Sequence, residues 1–222
     1  MSEWWTYSLS DFLLFSRRTY YRLFELYNVD IWPLQSVALA LGCVILALFW
    51  RPRAGQGRFI AAILALCWIW VAWAFHCRHF VTINWAATYV AYAFGCEALL
   101  LIVFGVVRDD LAFAPGSVRH RIGFALVIFA VFVEPLIAPL VGRGLLQAEV
   151  FGVAPDPTAL ATLGILLAAG GHALWRMGII PLMSCMLSGA VTWTLGSPDA
   201  PVILVAALVV LAVAATKTAR KA

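Results

Sequence analysis

Charge is scarce in this sequence. Only 12% of its 222 residues are Asp, Glu, Lys or Arg, whereas a soluble domain carries about a quarter. With 64% hydrophobic residues beside so little charge, a water-soluble fold is not expected. The patterns of soluble catalysis are missing too: there is no G-x-S-x-G, no G-x-x-x-x-G-K-[ST] and no G-x-G-x-x-G leading from a strand. The chain therefore leans away from being an enzyme. A disulfide framework is not implied, because five cysteines are an odd number and Cys43, Cys67, Cys96 and Cys185 fall inside apolar runs. No basic-then-apolar leader is visible either, since Glu3, Asp11, Glu25 and Asp30 interrupt the first thirty residues, so the N-terminus is expected in the mature protein. The net charge of +4 is not a nucleic-acid signal, because the basic residues stand at the ends of apolar runs, where phospholipid is the acidic partner.

What the chain has is long apolar runs. Nothing polar interrupts Phe59 to Phe75, and at about 1.5 Å per residue that run reaches nearly across a hydrocarbon core of roughly 30 Å. Trp68, Trp70, Trp73, Phe75, Phe80 and Trp85 bracket the turn around His76 and His79 as interfacial aromatics bracket a membrane surface. The expectation is an all-α polytopic membrane protein, one domain over 1–222. Seven transmembrane helices are drawn at 31–50, 59–76, 83–107, 122–142, 157–175, 177–196 and 200–216. An amphipathic interfacial helix over 8–28, capped by Ser8 or Ser10, precedes them and serves as an anchor. Pro135 and Pro139 in the fourth span and Pro181 in the sixth predict kinks. An echo between Pro33 leading to Gly42 and Pro157 leading to Gly164 would arrange the helices as 3+1+3.

Lys and Arg are uneven across alternate connections. Arg51, Arg53, Arg58, Arg108, Arg119, Arg121, Arg176, Lys217, Arg220 and Lys221 share one side; Arg17, Arg18, Arg22, Arg78 and Arg143 share the other. The positive-inside rule makes the first side cytoplasmic, the N-terminus outside and the C-terminus inside.

Ionisable groups within apolar spans are candidates for function by default. Counted along the helices, Glu97 and Glu134 fall near mid-membrane on consecutive antiparallel spans, where facing carboxylates would share a proton and pass protons or bind a cationic solute. A metal-handling or oxidoreductase alternative uses His76 and His79, three residues apart, or a layer of Cys67, Cys96, Cys185 and Met186 suited to copper or another soft metal. His172 lies too far in depth from His76 for both to hold one haem. A third reading makes the deep acids pair with a partner helix, in a homo-oligomer or a membrane assembly. The leading function is a carrier or conduit for a small solute or ion, with no cofactor and no nucleic acid.

Several landmarks then become familiar: Phe24-Glu-Leu-Tyr27-Asn28-Val-Asp-Ile31-Trp32-Pro33, His76 with Phe80 and Ile83-Asn84, Pro157-Thr158 leading to Gly164, Ile180-Pro181-Leu182, and Leu195-Gly196-Ser197-Pro198-Asp199. Together they resemble a family of multi-span bacterial inner-membrane proteins catalogued only as a domain of unknown function. The resemblance implies a bacterial inner-membrane protein and supplies no catalytic residues.

Overall fold

A computed structural model describes residues 13–51, 53–170 and 172–216. The described residues contain helices and no strands. Helix α1 (Arg17–Asp30) begins at Ser16, whose hydroxyl accepts from the Thr19 amide at 3.2 Å, so the cap is not Ser8 or Ser10, which lie outside the described residues. Helix α2 (Leu34–Trp50) leaves α1 at a bend of 89°. Three long helices follow: α3 (Gln56–Thr82), α4 (Ala87–Val107) and α5 (Val118–Leu140). Then come α6 (Pro155–Ala169), the short α7 (Ala173–Met177), α8 (Ile179–Thr194) and α9 (Ala200–Ala215).

Each of the seven apolar segments thus forms a helix, but the seven-span reading needs correction. Among the described residues three helices, α3, α4 and α5, are long and apolar enough to cross a membrane, or four if the bent α1–α2 pair counts as one. Helices α6, α8 and α9 have 15 or 16 residues. At about 1.5 Å per residue they reach roughly 24 Å or less, short of a core of roughly 30 Å. Gly170, with φ at +67°, stops α6 several residues before the expected end of its span.

Helix α6 is the centre of the fold. Every residue from Pro155 to Ala168 is buried, which is why its sequence is apolar on all sides instead of along one stripe. Its closest neighbour is the first half of α5. The two backbones cross at Gly123 and Gly164, where a Cβ on Gly123 would stand 2.2 Å from the Gly164 carbonyl oxygen. Polar groups on α6 fix its entry and its rotation. Thr158 Oγ1 accepts from the Gly152 amide at 2.9 Å and donates to the Ala154 carbonyl at 2.7 Å, closing the turn that leads in. Thr162 Oγ1 accepts from the indole N–H of Trp68 on α3 at 2.9 Å, both groups being fully buried. Thr162→Val keeps the shape and leaves that N–H without an acceptor. It should cost about 1–3 kcal/mol, read as a lowered unfolding midpoint in detergent.

Two helices depart from regular α geometry where it matters. Pro135 lacks the N–H that would bond the Val131 carbonyl, and the backbone just before it, Phe129–Val133, runs as a π-helical stretch. A second π-helical stretch, Val71–His79, carries His76 at the end of α3. Pro181 does not kink α8 as expected, because the helix starts at Ile179 and the proline falls in its first turn, where its N–H is not needed.

Helix α1 is more than an anchor on a surface. Its aromatic face, Tyr20, Tyr21, Phe24 and Tyr27, is buried against the protein, with Phe24 on Phe75 at 5.1 Å between ring centroids and Tyr20 on Phe80 at 6.2 Å. Its polar groups hold the segment that leads into α6. The Tyr27 hydroxyl donates to the Val153 carbonyl at 2.7 Å, and the Asn28 amide donates to the carbonyls of Leu146 and Ala148, both at 2.8 Å.

The helices alternate in direction, so their ends collect at two poles. At one pole Arg58 meets Asp109 (3.3 Å), Arg176 meets Asp110 (2.8 Å) and Arg119 donates to the last turn of α9 at the Ala214 carbonyl (2.8 Å). Lys217, Arg220 and Lys221 lie outside the described residues. The opposite pole holds the turn after α3, the segment from Val141 to Ala154, and the start of α9.

Candidate functional site

Four of the eleven acidic residues of the chain meet at that second pole. Glu134 comes from α5, Glu149 from the segment clamped by α1, Asp156 from the first turn of α6 and Asp199 from the residue before α9. With Arg143, Thr192, Ile137, Ala138, Val202 and Ile203 they line a cavity of about 30 Å³, room for roughly two waters or one small ion. Arg143 donates to Asp199, and its guanidinium lies 4.1 Å above the centre of the Tyr21 ring. Ser197 links Tyr21 to Asp199, and the Ser188 hydroxyl on α8 donates to Asp156.

Much of this cluster is unsatisfied. Glu134 and Glu149 each present a buried oxygen with no hydrogen-bond partner, and so do the Nε and Nη1 of Arg143, whose side chain is 8% exposed. Four carboxylates against one guanidinium would total a charge of −3 if all were ionised. With buried oxygens unpartnered on Glu134 and Glu149, the site does not hold that charge; its carboxyls take up protons. Glu149, which lies outside the apolar helices, shows the effect. Burial pushes its carboxyl above the ordinary range, and Asp156 adds to the rise while Arg143 opposes it.

The linkage has a definite sign. The folded protein keeps on Glu149 a proton that the unfolded chain releases near pH ~4.3, so stability falls as pH rises from there through the raised folded value. Melting curves from pH 4 to 8 should show this slope, and Glu149→Gln should flatten it.

Glu97 and Glu134 are not a facing pair. Glu134 lines the cavity with Asp156, Glu149 and Asp199, whereas Glu97 is not among its lining residues and is fully buried on α4 with both oxygens unpartnered. Depth along a helix is shared by side chains that point in different directions, and Glu134 lies near the C-terminal end of α5. It is six residues from Leu140, or about 9 Å, so the returning segment reaches it. Glu149, Asp156 and Asp199 stand between apolar segments of the sequence, and nothing local in it brings them together.

The proposed soft-metal residues are dispersed. Cys67 and Cys185 are buried, Cys96 and Met186 are exposed, and among the described residues no three His, Cys, Asp or Glu side chains gather as metal ligands do. His79 is occupied at both nitrogens, Nδ1 with the Ala74 carbonyl at 2.7 Å and Nε2 with Asp30 at 3.3 Å. His76 is separate from it, buried beside Phe75, Phe80 and Phe94, with neither nitrogen partnered.

A second cavity of about 150 Å³ adjoins the first. It shares Asp156 with the acidic one and is lined also by Tyr20, Phe75, His76, Phe80, Asn84, Val90, Leu187 and Ser188. The acids therefore sit at the end of a largely apolar cleft. A third, basic hollow of about 540 Å³ lies between α1 and the turn after α3, beside Arg18, Arg22 and Arg78.

No curated protein and no solved structure matches the chain. A family model described as "Family of unknown function (DUF6064)" matches residues 17–222, nearly the whole chain and all of the cluster just described. The chain belongs to this family of unknown function.

Proposed function

We propose that the protein is a carrier or conduit for a small solute or ion in a bacterial inner membrane, with Glu134, Glu149, Asp156 and Asp199 as its proton-linked carboxylates. One observation carries this reading: four acids and one arginine, with unpaired polar atoms on three of the five, surround a small cavity that shares Asp156 with an apolar cleft. Acids so placed exchange protons as a solute enters or leaves, and intramembrane ionisable groups mark such routes.

Support for the membrane comes from the outward faces. Phe59, Leu66 and Trp73 on α3, Tyr92, Leu99 and Val103 on α4, and Met183, Met186 and Trp193 on α8 are exposed large hydrophobics, a surface that water does not favour and lipid does. In this reading α3, α4 and α5 cross the bilayer. Helix α6, enclosed by protein, needs no match to its thickness. The pole with Arg58, Arg119 and Arg176 faces the cytoplasm and the acidic cavity faces out.

The test uses the protein in vesicles loaded with a pH-sensitive dye. After an external acid jump with potential clamped by potassium and valinomycin, protein-containing vesicles should acidify faster than protein-free ones. Equal rates would overturn the reading.

A further inference from the structure

The cleft beside the acids is built for a particular kind of molecule. Its volume of about 150 Å³ is that of a hole that accepts a single benzene ring. Phe75, Phe80, Val90 and Leu187 give it apolar walls. Tyr20, Asp156 and His76 are polar side chains that stand in those walls away from water. Asp156 is 6% exposed and takes a hydrogen bond from Ser188 on one oxygen. His76 is 3% exposed and makes no hydrogen bond at either nitrogen, although burying an unpaired imidazole is unfavourable. Packing alone does not account for such a histidine, since a phenylalanine would fill its place among Phe75, Phe80 and Phe94 without the penalty.

We propose that this cleft binds a compact organic cation with a ring-sized apolar body, an amine that reaches Asp156 and a second polar group that hydrogen-bonds His76. The inference rests on the carrier reading in one respect, that the bound cation is the solute carried. The positive charge follows from the surroundings: Asp156 lines both cavities, and beyond it lie Glu149, Glu134 and Asp199 with Arg143 as the cation that balances one of them. An ammonium at Asp156 supplies the missing positive charge, and Tyr20 lines the same cleft. A bare inorganic ion would leave the apolar walls and His76 unused. A neutral ring compound would leave the acids unbalanced.

The experiment is calorimetric titration of the purified full chain in detergent with three probes: tyramine, phenethylamine, which lacks the hydroxyl, and 4-ethylphenol, which lacks the amine. Wild type should bind tyramine saturably at one site and each truncated probe about tenfold or more weakly. Asp156→Asn should erase the preference for tyramine over 4-ethylphenol. His76→Leu should erase the preference for tyramine over phenethylamine and keep the preference for an amine. Because each variant must lose one discrimination and His76→Leu must retain the other, general unfolding does not imitate the pattern. Absence of saturable binding of any probe to wild type overturns the proposal, and so does a variant that keeps the discrimination it should lose. Tyramine binding by a protein that passes no protons would remove the carrier reading and leave a binding site; proton entry without binding would do the reverse.

Discussion

Replacing Glu134 by glutamine is expected to lower proton entry into vesicles by about tenfold or more while leaving the protein folded. The side chain faces a cavity of about 30 Å³ with one oxygen unpartnered, among Asp156, Glu149 and Asp199. Glutamine has the same length, can hydrogen-bond there and carries no charge. Removing one of four like-charged groups relieves repulsion, so stability should hold or rise while the proton site is lost. Glu97→Gln is the matched comparison, since Glu97 is fully buried on α4 with both oxygens unpartnered and does not line that cavity. Its flux should stay near that of wild type. Should Glu134→Gln conduct normally, or Glu97→Gln fail in its place, the route does not run through the acidic cavity.

An equally large effect is expected at the crossing of α5 and α6, this time on folding. In Gly123→Leu the new Cβ would stand 2.2 Å from the Gly164 carbonyl oxygen, 2.8 Å from the Ala168 Cβ and 3.1 Å from the Ala168 amide nitrogen. Two of those atoms are backbone, so no rotamer change relieves them. The helices must separate, and α6, enclosed on every side, has nowhere to move. Ordinary overpacking costs about 1–3 kcal/mol. Gly123→Ala should reach the top of that range, and Gly123→Leu should leave almost no monodisperse protein on size exclusion. Gly95→Leu on α4, where a Cβ meets nothing within 4 Å, should behave as wild type. A stable, normally eluting Gly123→Leu protein would show that α5 and α6 do not cross this closely.

Glu134 arrives at the cavity because α5 changes geometry over Phe129–Val133 before Pro135, and Asp156 arrives because α6 is locked in rotation by Thr158, Thr162 and the Gly123–Gly164 crossing. Glu149 is carried there by a segment that Tyr27 and Asn28 of α1 hold through backbone carbonyls. Side chains that bond to backbone carry no partner identity in the sequence, so none of these links was legible beforehand. The soft-metal residues show the converse. Cys67, Cys96, Cys185 and Met186 share a depth, and depth was legible, but two of the four point away from the protein.

By itself the sequence determined the helical class, the position of all seven apolar segments, the uneven distribution of Lys and Arg and the family, because helix starts, stops and polarity depend on neighbours a few residues away. Tertiary structure alone decided that three helices among the described residues have spanning length, or four with the bent α1–α2 pair, that α6 is enclosed, and that Glu134 lines one cavity with Asp156, Glu149 and Asp199 and not with Glu97. The reason is rotational. A residue count fixes how far along a helix a side chain lies, whereas the direction it faces is set by π-helical turns, glycine crossings and returning loops that act together across the whole chain.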